Sequence, residues 1–517
     1  MEAKPVVLIR STMERLRRGF QEGANLTYAD RVRNLDAFLS AVEANADQIR
    51  EAVNKDLGRN AFLTDLTEIE GLKDSVSYYK SNLKNFMKEI QKDLPALLFP
   101  GSIYLKPEPY GLALIIGSWN FPFSTTLHPL VNAIAAGNTV VVKPSEMAPH
   151  SSAVMKKLID SLDQRVFGVI EGGPEAAIAL LEERWDLIVF TGSPEKGKLI
   201  AAAAAKHLTP TILELGGKNP VIVDRDADMR NATLRITQGR YLNAGQLCIS
   251  PDMALVHRSR VDEFLAGMQA TIKQFFGEDP KKSPDYSRIV NDMHTKRVAS
   301  MLEGHGGKIV CGGQVDYKEK YIAPTVILEP HRDSPVGNQE VFGPILVVFP
   351  FDNFDEVLQI VNSREKPLAL YYFGSNKQNF ETLKTRTSSG NVTWNDCVFH
   401  YSCCDLPFGG VGNSGVSAMF GEEGFRAMSH NKSVMEKPAL NFGPLNLRYP
   451  PYTPNNQKEF FKTKGRMNFN VSSMKRFGKR VFVVALLGVL AYKGYLDVPI
   501  SYLAQFKNMF MDKVQGR

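Results

Sequence analysis

The segment Gly239-Arg-Tyr-Leu-Asn-Ala-Gly-Gln-Leu-Cys248-Ile-Ser-Pro251 sets a cysteine in a small-residue loop between a helical stretch and the strand-like Ala254-Leu-Val256. A thiolate is a strong nucleophile toward carbonyl carbon, and nearby backbone N–H groups can lower its pKa and hold an oxyanion. A solitary cysteine is as readily a buried apolar residue. Glu214, in Leu213-Glu214-Leu-Gly-Gly-Lys-Asn-Pro220, is a carboxylate inside an apolar run just before a Gly-Gly turn. Partial removal from water raises such a pKa and suits it to general-base work, although a plain loop acid reads the same way. Asn120, in Gly117-Ser-Trp-Asn120-Phe-Pro-Phe123, offers an amide to a developing alkoxide or simply makes a turn.

Three further motifs suit ligand binding. Lys143 and Glu146, in Val142-Lys-Pro-Ser-Glu146, follow a strand where a nucleotide ribose is often held. Phe190-Thr-Gly192-Ser193-Pro-Glu-Lys-Gly197-Lys-Leu199 matches a phosphate-binding P-loop until Leu199, which stands where a magnesium-ligating Ser or Thr is needed. A nucleotide hydrolase is disfavoured on that ground. No G-x-G-x-x-G fingerprint occurs, so the segment reads as a strand, a Gly turn and a helix N-terminus that could face a cofactor phosphate. Glu340-Val-Phe342-Gly-Pro344 resembles a surface turn, and Leu406 to Gly415 is a long glycine-rich loop.

These loops are carried by recognisable elements. From about Tyr28 to Ile90, apolar residues recur at helical spacing among charges, as in surface helices. From Gly111 the pattern becomes short apolar runs, Leu112–Ile116, Thr139–Val142, Leu187–Phe190 and Pro220–Val223, alternating with helices. This predicts an α/β fold with buried parallel strands, and places the loops beyond the carboxyl ends of those strands.

Taken in order, the motifs resemble the aldehyde dehydrogenase superfamily over nearly all of residues 1–440. The short N-terminus, Ser-His430-Asn-Lys-Ser433 and Arg448-Tyr-Pro-Pro-Tyr452 are similar to its class 3 branch, and the basic, apolar C-terminal extension to membrane-bound fatty aldehyde dehydrogenases. The resemblance implies a Rossmann-type cofactor domain (1–84 and 106–218), an α/β catalytic domain (219–425) and a small β dimerisation arm (85–105 and 426–440). It implies Cys248 as nucleophile, Glu214 as general base and Asn120 as oxyanion donor. Lys143 and Glu146 would meet the adenosine ribose, Gly192, Ser193 and Gly197 the diphosphate, Glu340 the nicotinamide ribose and Phe342 the nicotinamide. The implied reaction is NAD-dependent oxidation of aliphatic aldehydes, with NADP as the alternative cofactor, in a homodimer. Pro194, Leu247 and Phe121 depart from residues usual in the family's motifs, and none is a reacting group. A catalytically silent, membrane-anchored scaffold with this fold is the competing expectation.

Composition narrows the partners. The 517 residues carry a net charge of +7, and residues 456–480, with eight Lys/Arg against Glu459, account for all of it. A near-neutral body offers no broad phosphate-binding face, so nucleic acid is not expected. Five cysteines without a framework fit a reducing compartment, and Pro5–Ile9 is too short for a signal-peptide core. Cys397, His400, Cys403 and Cys404 are clustered potential zinc ligands, but adjacent cysteines close a tetrahedral site poorly and no metal is expected. After a linker and basic segment (441–480), an apolar run at 481–496 would span about 24 Å as a helix, against about 30 Å of hydrocarbon. With Lys475, Arg476, Lys479 and Arg480 beside it, 481–517 is expected to be a helical membrane anchor with the catalytic body in the cytosol. The endoplasmic reticulum is the expected membrane, with the mitochondrial outer membrane or another organelle as alternatives.

Overall fold

Valine- and isoleucine-rich runs with no polar face can satisfy their backbone only inside a sheet covered on both sides. In the computed structural model, which describes residues 4–439 and 443–471, Leu112–Ile116, Thr139–Lys143 and Leu187–Thr191 are strands buried at every residue. The described chain separates into two units. One comprises the residues up to Phe86 with Glu108–His430, and the other Met87–Pro107 with the described residues from Asn431 onward.

The larger unit holds two main sheets. Across the first, the order is Gly415–Val416, Thr211–Glu214, Leu187–Thr191, Leu112–Ile116, Thr139–Lys143, Phe167–Val169, parallel except for the first strand. The chain moves outward from Leu112–Ile116 in one direction, then returns to build on its other side. Between Leu112–Ile116 and Leu187–Thr191 the connections therefore diverge, and a crevice opens at the strands' carboxyl ends. The second sheet runs Lys308–Cys311, Thr325–Leu328, Ile345–Phe351, Met253–His257, Pro220–Val223, Ala369–Phe373, Asn391–Trp394, with only Lys308–Cys311 antiparallel.

The N-terminal run that the sequence leaves unassigned is part of a helix, Lys4–Gln21. Ile9, Met13 and Leu16 lie on one helical stripe and enter the core beside Leu112, Leu114 and Val141. Arginines on the same helix serve its outer face, with Arg17 3.0 Å from Asp186.

Most of a three-stranded sheet of Ile90–Gln91, Ser102–Pro109 and Ser429–Glu436 falls in the smaller unit. Tyr104 and Ser102 both donate to the Glu436 carboxylate, at 2.8 and 2.9 Å. Within the segment read from sequence as a linker, Pro454–Arg466 is a helix, with Pro454 in its first turn and the Thr453 side chain accepting from the Asn456 N–H. No helix among the described residues is long and apolar enough to cross a membrane. The expected anchor at 481–517 and the basic residues 475–480 lie outside the described residues.

Candidate active site

Two cavities of the larger unit meet at four residues. One of about 990 Å³ and one of about 290 Å³ share Asn120, Thr191, Glu214 and Cys248 in their walls. Asn120, Thr191 and Glu214 come from the carboxyl ends of strands in the first sheet. Cys248, Glu340 and Phe342 do not: they precede Met253–His257 and Ile345–Phe351, at amino ends of strands in the second sheet. The expectation that all the distinctive loops lie beyond carboxyl ends is thus half right, because the site is built by the carboxyl edge of one sheet and the amino edge of the other.

The approach to Cys248 is a strained backbone. Asn243, Ala244 and Gly245 all have left-handed conformations, with φ of 53°, 52° and 73°. Asn and Gly tolerate this region, whereas Ala244 pays for its Cβ, so the loop persists only because neighbours over-determine it. Gln246 donates to Asn243 O and Arg288 O at 3.0 and 2.9 Å and accepts from the Val290 N–H at 3.0 Å. Asn219 donates to the carbonyls of Cys248 (2.7 Å) and Ser250 (3.0 Å) and accepts from the Ala369 N–H. The Asn120 amide donates to Gln246 O at 3.1 Å and, having two N–H groups, keeps one to offer elsewhere.

Behind this loop lies an ion pair that sequence reading missed. Arg59 and Glu68 are both fully buried, 2.7 Å apart. Arg59 donates to Asn243 Oδ1 at 3.2 Å and to the backbone carbonyl of Asn120, and its guanidinium lies 4.3 Å from the centre of the Phe121 ring. Glu68 accepts from the Ser124 N–H at 2.8 Å. One guanidinium therefore fixes both the Asn120 turn and the Cys248 loop. The available signal was a charged pair nine apart in an N-terminal helical region, which looks like any solvated surface.

Burial dominates the electrostatics. It pushes the Glu214 carboxyl up to about 8, partly offset by interaction with the Cys248 thiol. It also pushes the Cys248 thiol well up, and the nearby Glu214 and Glu340 carboxylates add to the rise. Glu340 too is raised to about 8, by burial and then by Asp252. The resting site therefore favours a thiol beside a carboxyl poised to exchange a proton. Glu214 Oε1 and Thr191 Oγ1 are buried without a hydrogen-bond partner among the described residues.

In the larger cavity, Gly192 and Ser193 lie at the start of the helix Pro194–Ala205, whose N-cap Ser193 accepts from the Lys196 N–H. Phe342 has a φ of 44°, and Arg297 donates to its carbonyl and to that of Val341 at 3.2 and 2.8 Å. Trp119 packs edge-on against Phe342 and lies 4.9 Å from His294. The Glu340 carboxylate sits so close over Gly216 that a Cβ there would fall 2.3 Å from it. A helix N-terminus, Arg364 and Lys366 suit an anionic diphosphate, and Trp119 with Phe342 suits a flat ring, so the donor set fits a nicotinamide dinucleotide. Lys143, Glu146 and Gly197 are not in this wall. Lys143 Nζ donates to Glu146 at 3.0 Å and to Pro144 O, and Gly197 lets the helix approach Leu215, which an added Cβ would meet at 2.7 Å. Trp119 and Thr191 lie inside motifs quoted from the sequence but are given no role there, and His294 and Arg297 stand in no motif.

The smaller cavity is apolar, walled by Leu66, Phe399, Tyr401, Phe408, Met419 and Phe420. Cys404 also reaches it, Cys397 is buried and Cys403 is exposed. Among the described residues no three His, Cys, Asp or Glu side chains converge as metal ligands.

A thiol, a buried carboxyl and a free amide N–H at the junction of a large cavity whose donors suit a dinucleotide and a mostly apolar one are the parts of a thiol-dependent oxidoreductase. The chain belongs to the aldehyde dehydrogenase family, which it matches over residues 6–434. It is 39% identical over 485 residues to aldehyde dehydrogenase family 3 member A2 of Pongo abelii, covering 93% of this chain and 97% of the relative. It is 38% identical to the dimeric NADP-preferring aldehyde dehydrogenase of Rattus norvegicus, covering 86% and 98%. Among solved structures, substrate-bound AldH of Staphylococcus aureus superposes with a TM-score of 0.84 at 37% identity, covering 90% of this chain and 99% of that one. Indole-3-acetaldehyde dehydrogenase AldA of P. syringae, in complex with NAD+ and IAA, gives a TM-score of 0.76 at 25% identity, covering 84% and 89%.

Proposed function

We propose that this protein oxidises medium- and long-chain aliphatic aldehydes to carboxylic acids with NAD or NADP. The observation that carries the reading is the position of Cys248, in the walls of both a cavity of mixed polar and apolar lining and a mostly apolar one. Glu214 takes the thiol proton, and the Cys248 thiolate adds to the aldehyde carbon. The Asn120 amide, with the Cys248 backbone N–H, holds the resulting oxyanion. When bound, the nicotinamide supplies the acceptor for the hydride that leaves that carbon, and Cys248 then carries the acyl group as a thioester. Glu214 gives the first proton up to solvent and then draws one from water, which attacks the thioester; the acid leaves, and Glu214 passes that second proton to the departing Cys248 thiolate, restoring thiol and carboxylate. Gly192, Ser193, Glu340 and Phe342 are the residues suited to hold the cofactor near this point, and Lys143 with Glu146 its adenosine ribose. A homodimer is the proposed assembly, consistent with a relative named as dimeric.

The sequence of residues 475–517 supports a membrane anchor with the catalytic body on the cytosolic side, at the endoplasmic reticulum or another organelle membrane. An anchored enzyme would draw lipid-derived aldehydes from the bilayer. Aldehyde-dependent reduction of NAD or NADP tests the reaction. It is expected in the full chain and absent in Cys248→Ser, and undiminished turnover in Cys248→Ser would defeat the mechanism.

A further inference from the structure

Beside Gly216, which leaves room for the Glu340 carboxylate, the chain continues through Gly217 to a lysine that the reaction does not use. Lys218 Nζ donates to Asp252 Oδ1 at 2.6 Å, to Val336 O at 2.8 Å and to Gln339 O at 2.9 Å. An ammonium has three N–H groups, so all of them are used. The other oxygen of Asp252 accepts from the Val341 N–H at 2.9 Å and from Arg240 at 3.3 Å. The Gln339 carbonyl and the Val341 N–H belong to the two peptide bonds that flank Glu340. Lys218 therefore grips one of them directly and the other through Asp252. The two side chains are only 6% and 3% exposed. Taking both charges out of water is costly, yet a methionine of similar length in place of Lys218 would leave three acceptors without their donor. Arg297 and Arg240 hold the carbonyls that come next, of Val341, Phe342 and Gly343, so the lysine and its aspartate are the pair that addresses Glu340 itself.

We propose that Lys218 is a positioning residue for the cofactor, acting with Asp252 as a clamp that sets the Glu340 carboxylate against the nicotinamide half of the dinucleotide. The proposal rests on the assignment of Glu340 to the nicotinamide ribose and names what holds that carboxylate in place.

The test uses the full-length protein and two probes, NADH and ADP, the second of which lacks the nicotinamide half. NADH binding is read by its fluorescence, and ADP binding by displacement of NADH. Lys218→Met is expected to weaken NADH about tenfold or more, the scale of a lost hydrogen bond to a charged group, with the ADP constant held within about twofold. Lys218→Arg, which keeps the charge and the donors, is expected to recover part of the loss, and it carries the same comparison if Lys218→Met does not fold. Glu340→Gln is expected to weaken NADH against ADP in the same way. A selective Glu340→Gln beside lysine variants that weaken both probes equally, or neither, would make Lys218 a structural residue and overturn the clamp. A Glu340→Gln without selectivity would instead overturn the assignment of that carboxylate, and the clamp's role with it.

Discussion

At Glu214, proton bookkeeping becomes a measurable pH profile. Burial raises this carboxyl to about 8, so it is mostly protonated at neutral pH and becomes a competent base as pH rises through that value. Turnover limited by thioester hydrolysis is accordingly expected to climb about tenfold per pH unit below 8 and to level off above it. In Glu214→Gln the climb should vanish and acyl enzyme should accumulate, as seen by mass spectrometry after mixing with aldehyde and cofactor. A profile in the variant that keeps the same inflection would assign it to another group, with Glu340, also raised to about 8, the first alternative. Cys248, Glu214 and Asn120 could be picked out as candidates because each stands in a distinctive loop, whereas Glu340 reads as a surface turn and gains a role only through the resemblance to a family. Arg59 was not legible, since an arginine among helices has no local pattern, and Thr191, although inside the Phe190–Leu199 segment, carries no chemistry of its own there. Their roles come from what meets them across the fold.

Among the elements, the N-terminal helices read from sequence as surface cover supply the brace of the active-site loops. Replacing Arg59 by Met removes the donor to Asn120 O and Asn243 and leaves Glu68 buried without its partner. Removing one member of a buried pair costs about 3–5 kcal/mol, so thermal unfolding should shift down clearly. The functional expectation is a fall in kcat of about tenfold or more, because a misplaced oxyanion donor weakens transition-state binding. Arg59→Lys should recover part of it; loss of stability with unchanged kcat would make the pair purely structural. The strands Leu112–Ile116, Thr139–Lys143, Leu187–Thr191 and Pro220–Val223 were predictable because burial on two faces enforces unbroken apolar runs, whereas the partly exposed Lys308–Cys311 and Asn391–Trp394 carry no such mark. The helix Lys4–Gln21 was hidden by its arginines, and Pro454–Arg466 by the proline-rich approach to it.

On the scale of the whole molecule, the proposed reaction divides the work between two cavities: one side of Cys248 mixes polar and apolar lining and would take the dinucleotide, the other is mostly apolar and would take the chain. Deleting residues 472–517 tests how that body relates to a membrane. Turnover of short soluble aldehydes is expected to persist while the protein leaves the membrane fraction for the supernatant on centrifugation, and retention on membranes would place the anchor elsewhere. The Arg59 bridge also carries a consequence for synthesis. Its partner Asn243 lies 184 residues further along the chain. Its other partners, Glu68 and Asn120, lie only 9 and 61 residues away in sequence. The loop of Cys248 is therefore added to the chain after Arg59, Glu68 and Asn120, the groups that brace it.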